Sequence, residues 1–397
     1  MDNILEEAAL YDRSGTDSLK WDALGETFGR EDLLPLWVAD MDFKTPLCVR
    51  EALKCAADQG AFGYYKIPDR FYDSILTWER ERHGTTVWQR DWIRTTGGVV
   101  SGLYHLVRAL TDPKDGILLL TPVYYPFYNV IKGTGRTPVY CPLTEENGVY
   151  AVDLDRFEQA IREGKPRWFL LCSPHNPVGR VWTEDELTAL LEICRRNDVR
   201  VIADEIHHDL LMPGQVHVSA ASLWEGEGRP ITFFSASKTF NLAGMKCSIL
   251  MLPDEADRKR FDEFEAALGG GGCSTLDYIA VTAAFERGGE WLEALLQEIH
   301  GNYLHIKNAL LPFSGVTVSP LEGTYLLWID LGGAVSRERV RSFMLDACQI
   351  APDFGSWFYP KDSETGAHIR LNLAAPRKTI ETAAQRLVSA LSNPPEL

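Results

Sequence analysis

The chain has 397 residues, 45% of them apolar, and 40 Lys and Arg set against 56 Asp and Glu leave a net charge of −16. The length sets a prior of about two to three domains, with apolar material enough for large cores. The acidic balance argues against a nucleic-acid surface, which needs clustered Lys and Arg, and against an anionic membrane as partner. No stretch approaches the roughly 18 consecutive apolar residues of a membrane helix. The N-terminus, MDNILEEAALYDRSG, lacks the basic-then-apolar form of a signal peptide. The eight cysteines are scattered without a C-x-x-C pair, mostly among apolar neighbours, and read as reduced packing residues. A cytoplasmic protein is expected.

Taken in chain order, the first 45 residues look irregular and are expected to pack against the C-terminal part. From about residue 46 to 290, strand-like and helical stretches alternate. The strand candidates are GILLL (116–120), RWFLLC (167–172), VRVIA (199–203), ITFFS (231–235) and CSILML (247–252). Each is short and continuously apolar, as strands covered on both faces are. Between them TEDELTALLEICRRN opens with Thr183 and has Glu186 three residues on, the signature of a capping box. The Gly269–Gly272 run reads as a tight loop or hinge and lacks the strand-to-helix setting of a dinucleotide fingerprint. After 290 come a long helical pattern, the strand-like GTYLLWIDL and AHIRLNL, and a closing helix. The fold class expected is α/β: a large domain (46–289) with a mostly parallel sheet covered by helices, and a smaller α/β domain from 1–45 and 290–397.

Open α/β sheets bind ligands at the carboxyl ends of their strands. After GILLL comes TPVYYPF, after RWFLLC comes SPHNPVGR, after VRVIA comes DEIHHDL, and after ITFFS comes ASKTFNLAGMK. The strand ends therefore supply tyrosine, asparagine, aspartate with histidine, and serine with lysine. A lysine that condenses with an aldehyde has to be desolvated or charge-perturbed, so that it loses its proton near neutral pH. An aspartate beside a pyridine nitrogen keeps that nitrogen protonated. An aromatic ring stacks on a flat cofactor, and an amide bonds a phenolic oxygen. TTGGVVSGLYHLVRAL (95–110) adds two glycines and a helix start, which suits a phosphate. The set meets the needs of pyridoxal phosphate.

Beyond single residues, the stretches LPLWVADMDF, FGYY, TGGVVSGL, TPVYYPF, CSPHNPVGRVW, DEIHHDL, SKTFNLAG, EGTYLLWIDL and HIRLNLAAPR together span residues 34–377. In these stretches the chain resembles the fold-type I pyridoxal-phosphate enzymes of the aspartate-aminotransferase superfamily, and within them the MalY/PatB branch of cystathionine β-lyases, or C–S lyases. The resemblance implies that Lys238 holds the cofactor aldehyde and shuttles protons, that Asp204 pairs with the pyridine nitrogen, and that Tyr124 stacks on the ring. It places Asn176 and His207 near the phenolic oxygen, and it gives the phosphate to the backbone of Gly98 and Val99, to Ser235 and Ser237, and to Lys246. Tyr64 would reach the phosphate of a neighbouring subunit, implying a homodimer, and Arg370 would clamp the substrate carboxylate as a bidentate fork. Trp37 and Ala39 have two readings, lining the substrate entrance or packing. His207, His208 and His217 lack a ligand spacing, so no metal is expected.

Two departures stand out. The superfamily often has arginine where this chain has Lys246. And APDFGSWFYPKDSETGAHIR (351–370) has Pro352-Asp353 and then Trp357, Phe358 and Tyr359, where the related enzymes usually have Pro-Gly and a glycine-rich stretch. The function expected is β-elimination from L-cystathionine or a related cysteine S-conjugate. An aminotransferase on the same fold is the alternative, and a regulatory binding protein the third reading.

Overall fold

The computed structural model describes residues 3–270, 272–361, 363 and 365–393. Gly271, Asp362 and Glu364, which belong to two segments singled out above, lie outside the described residues. The chain enters its main sheet through α1 (Asp69–His83) and β1 (Ile93–Thr96). The sheet continues with β2 (Gly116–Thr121), β3 (Thr137–Pro142), β4 (Trp168–Cys172), β5 (Arg200–Asp204), β6 (Ile231–Phe234) and β7 (Ser248–Met251). The spatial order is β1-β7-β6-β5-β4-β2-β3. Strands β3, β2, β4, β5 and β6 pair in parallel, while β7 runs antiparallel to β6 and β1. The five expected strands of this sheet thus appear within a residue of their expected ends.

Successive strand residues point to opposite faces, and both faces are covered. Ile117, Leu119, Leu170, Ile202 and Phe233 meet Leu103, Leu106 and Val107 of α2 (Val99–Leu110) and Phe127, Val130 and Ile131 of α3 (Pro126–Gly133). Leu118, Leu120, Phe169, Leu171 and Val201 meet Phe157 and Ile161 of α4 (Leu154–Gly164) and Leu187, Leu190 and Leu191 of α5 (Glu184–Arg196). This double burial explains why the strands read as unbroken apolar runs. The Thr183–Glu186 capping box forms as expected, with reciprocal bonds of 3.2 and 2.9 Å.

Helix α2 lies against the sheet at Gly102. A Cβ there would come within 2.4 Å of Thr96 Oγ1 and 2.6 Å of the Phe233 ring. Thr96 Oγ1 is held by Ser248 Oγ at 2.6 Å and has no room to give. Gly102→Ala is therefore expected to destabilise the protein by about 1–3 kcal/mol, overpacking outweighing the gain in helix propensity. The denaturation midpoint of the variant reads this directly.

A second sheet is antiparallel, with β8 (Thr317–Val318), β9 (Leu326–Asp330), β10 (Asp353–Phe354) and β11 (His368–Asn372) in the order β8-β9-β11-β10. Helices α6 (Gly289–Leu310) and α7 (Arg377–Ser392) pack together, and Ile306, Ile380 and Leu387 share a core with Leu327, Ile329, Ile369 and Leu371 of β9 and β11. The N-terminal segment is less irregular than its sequence suggests. Three short helices lie within its first 28 residues, and Leu34–Pro35 pairs in parallel with Ile350–Ala351. Leu36 donates to the Ala351 carbonyl at 2.9 Å, and its own carbonyl accepts from Asn372 N–H at 2.8 Å. No helix among the described residues is long and apolar enough to cross a membrane.

Candidate active site

A cavity of about 240 Å³ opens where the strands leave the main sheet. Gly97 and Gly98 follow β1, Tyr124 follows β2, Cys172 ends β4 with Asn176 beyond it, Asp204 ends β5, and Ser237 and Lys238 follow β6; all line it. Because β7 runs the other way, its beginning reaches the same edge, and Lys246 and Cys247 join the wall. From β2 the chain crosses to β3 on one side and returns to β4 on the other, which opens a crevice at this edge. A larger surface groove of about 790 Å³ beside Trp78, Arg82 and His83 shares no lining residue with this cavity.

One end of the cavity is built for an anion. Gly98 is the N-cap of α2, in a φ of 104° that favours glycine, and no side chain caps the helix. Val99, Val100 and Ser101 of the first turn line the cavity, and the first intrahelical bond is Gly102 N–H to the Gly98 carbonyl at 2.9 Å. The N–H groups before it have no partner within the helix, and the positive end of the helix dipole lies there. Lys246 brings a cation to the same cavity.

The other groups are titratable and enclosed. Lys238 follows Ser235, which starts a short helical turn by accepting the Ser237 N–H at 3.0 Å. The Lys238 amine donates to the Ala39 carbonyl at 2.7 Å. Burial lowers it to about 8, partly offset by Asp40 and assisted by the positive Arg370. Burial also raises Asp204 to about 7, against the opposing pull of the Ile206 N–H bond (3.1 Å). His207 is driven well below its ordinary value by burial and by the nearby Lys238 and Arg370 charges, so its imidazole is neutral. Its Nδ1 is buried without a partner. Asn176 Oδ1 accepts from Arg370 Nη1 at 2.7 Å, which leaves the amide NH2 for the cavity it lines. The arrangement suits a flat ligand with an anionic group at α2, a nitrogen base at Asp204 and a carbonyl within reach of Lys238.

The model of the family described as aminotransferase class I and II matches residues 31–387. The chain belongs to this family. It is 35% identical to cystathionine beta-lyase PatB of Bacillus subtilis (strain 168) over 384 residues, covering 96% of this chain and 98% of that one. It is 30% identical to protein MalY of Escherichia coli (strain K12) over 388 residues, covering 96% and 97%. Among solved structures, cystalysin from Treponema denticola, which contains a pyridoxal 5'-phosphate cofactor, superposes with a TM-score of 0.91 at 35% identity, covering 97% of this chain and 98% of that one.

Against the residue pattern of the family, ten of the fourteen expected site residues line the cavity: Ala39, Gly98, Val99, Tyr124, Asn176, Asp204, His207, Ser237, Lys238 and Lys246. The other four lie elsewhere. Ser235 is buried and gives its single hydroxyl proton to the Cys247 carbonyl at 2.6 Å, so it shapes the turn that presents Lys238. Trp37 packs edge-on to Phe28 at 5.2 Å and donates to the Lys20 carbonyl at 2.9 Å. Tyr64 is fully exposed in the single chain. Arg370 is buried beside the cavity behind Asn176, bonded also to Asp353.

Three groups escaped the sequence reading. The Ala39 carbonyl, rather than its side chain, holds Lys238, and it also accepts from Tyr325 OH at 2.9 Å. Tyr325 lies in the quoted EGTYLLWIDL, but nothing in that stretch signals a bond to a carbonyl 286 residues away. Asp353 was visible only as a departure from pattern.

Among the described residues, Glu79, His83 and His208 bring one possible metal-ligand atom each within 4.8 Å of one another. These atoms are engaged already: His208 Nε2 meets Glu79 at 2.9 Å, and His83 Nε2 meets Asp209 at 2.8 Å. Burial alone would lower His208, but Asp209 and Glu79 raise it to about 9, so the cluster is an ion-paired network. It ties α1 to the loop that carries His207.

Proposed function

We propose that this chain is a pyridoxal-phosphate-dependent C–S β-lyase, acting on L-cystathionine or a related cysteine S-conjugate. The observation that carries this is the enclosed Lys238 amine, poised at about 8 in one cavity with the raised Asp204 carboxyl and the uncapped start of α2. Similarity over nearly the whole chain to PatB, named as a cystathionine beta-lyase, favours elimination over transamination. The cavity fits the cofactor on its own features. The His207 Nδ1 is an orphan buried atom, the α2 N–H groups await an anion, and Asp204 is a buried acid without a cation bonded to it.

In this reading the phosphate would be held by the N–H groups of the first turn of α2 from Val99 onward, by Ser237 and by Lys246; the Gly98 N–H is taken by the Thr96 carbonyl at 2.7 Å, so Gly98 would shape the turn rather than donate. Tyr124 would cover the ring, Asp204 would hold the ring nitrogen, and Asn176 with His207 would hold the phenolic oxygen. Pyridoxal phosphate supplies an aldehyde for the substrate amino group and a ring that accepts electrons. The rest falls to the chain. Arg370 orients the substrate carboxylate and Lys238 removes the Cα proton, a role suited to an amine whose value lies near neutrality. Lys238 then returns a proton to the departing sulfur. Net, the Cβ–S bond breaks and water is consumed, giving a thiol, pyruvate and ammonia.

We further place residues 46–289 in a cofactor-binding domain and 1–45 with 290–397 in a small domain. The enzyme acts as a cytoplasmic homodimer in which the exposed Tyr64 of one subunit reaches the phosphate of the other. The cofactor-loaded protein is expected to release pyruvate and ammonia from L-cystathionine in equal amounts over many turnovers without added keto acid. Amino-group transfer to an added keto acid, with no pyruvate before it, would move the enzyme to the aminotransferases.

A further inference from the structure

Arg370 does not wait unpaired for a substrate. Strand β10 sets Asp353 directly opposite Arg370 of β11, and the two side chains pair across the strands. Both are almost wholly enclosed, at 1% and 2% exposure. A guanidinium has five N–H donors. Nη1 gives one to Asn176 and Nη2 gives one to Asp353, while Nε–H is buried without a partner. The Phe358 ring lies under the guanidinium, 4.7 Å from ring centre to Cζ. The fork is thus half used, by a carboxylate belonging to the chain itself, and Arg370 stands outside the cavity lining.

We propose that Asp353 is a specificity-determining residue: a resident carboxylate that shares the Arg370 fork and weakens the capture of an amino acid's α-carboxylate. This rests on the reading of Arg370 as the carboxylate clamp. An incoming carboxylate finds enough donors, since Nε and the remaining Nη hydrogens are free of other bonds. It binds them against a like charge on the same enclosed guanidinium, and like charges at such range shift equilibria by about tenfold or more. The site therefore discriminates against small substrates whose only anchor is the α-carboxylate. Substrates with further contacts, such as a long thioether arm, are favoured.

The test uses the cofactor-loaded protein with Asp353→Asn, which keeps the size and one acceptor, and Asp353→Gly, which removes the side chain. Propionate, a carboxylate without an amine, is titrated against the thermal midpoint of each protein, taken relative to that protein without ligand. KM and kcat for L-cystathionine and for S-methyl-L-cysteine are measured alongside. Propionate is expected to bind about tenfold tighter to both variants, with the kinetic change falling in KM and larger for S-methyl-L-cysteine. Weaker propionate binding with a raised KM would show Asp353 to be a positioning residue for Arg370 and overturn the proposal, as would unchanged binding. Should the glycine variant fail to fold, the asparagine variant carries the test. Propionate binding needs no turnover, so loss of the lyase assignment and loss of this inference are read separately.

Discussion

Lys238→Ala is expected to abolish pyruvate release from L-cystathionine while the protein still folds and still binds pyridoxal phosphate through its phosphate contacts. The amine has two tasks in the proposed reaction, tethering the cofactor aldehyde and moving protons at Cα and at the leaving sulfur. Loss of proton transfer alone costs roughly 10²–10⁴-fold in rate. The side chain sits at a helical turn, its Nζ bonded only to the Ala39 carbonyl, which Tyr325 OH also serves. Removing it therefore strands no buried acceptor. Borohydride treatment followed by mass measurement separates the possibilities. The wild-type chain should gain the mass of a covalently fixed cofactor and the variant should not. A variant that retained the adduct or turned over would remove Lys238 from both tasks.

Asp204→Asn should gain stability and lose activity. Burial raises the carboxyl from 3.8 to about 7. Below pH 4 the acid is protonated whether the chain is folded or unfolded, so it costs nothing. Between pH 4 and 7 the unfolded chain releases the proton while the folded chain keeps it, and stability falls as pH rises. Above 7 the full cost remains, on the order of 4 kcal/mol for a rise of that size. The cofactor-free Asp204→Asn protein should thus exceed the cofactor-free wild type in stability at pH 8 by up to about that amount and match it near pH 4. Denaturant midpoints at the two pH values decide. The same substitution withdraws the charge that holds the ring nitrogen, and loss of one preorganised electrostatic partner typically costs about 10²–10³ in kcat. Equal stability at pH 8 would mean that Asp204 is already compensated, and with it the case for a waiting cationic partner would fall.

Legibility followed the distance over which each signal acts. Lys238, Asp204, Asn176 and Tyr124 could be read because each closely follows an apolar run, and the fold's strand ends gather whatever follows them. The capping box at Thr183 was readable because its partner is three residues away. Strand β3 was not, because it lies at the sheet edge with prolines at 138 and 142 and with Val139 and Tyr140 only half-buried. The resemblance gives Ser235 to the phosphate, but no local signal shows that its hydroxyl proton goes to the Cys247 carbonyl across the turn into β7. Trp37 has two readings in the sequence, entrance or packing, and its bond to the Lys20 carbonyl and its ring contact with Phe28 could not be read from either.

By itself, then, the sequence determined the layered α/β class, the strands of the parallel core and the chemical kinds of group collected at their ends. These depend on local hydrophobic periodicity and on residues adjacent to it, and burial of both sheet faces admits few other arrangements. The tertiary structure alone decided which atoms meet. It brought the Ala39 carbonyl to Lys238, Tyr325 to that carbonyl, and Asp353 to Arg370. Those meetings depend on strand register and on side-chain direction between segments remote in the chain. A shift of one residue in the β10–β11 register would turn Asp353 to the other face, and no composition or spacing records that choice.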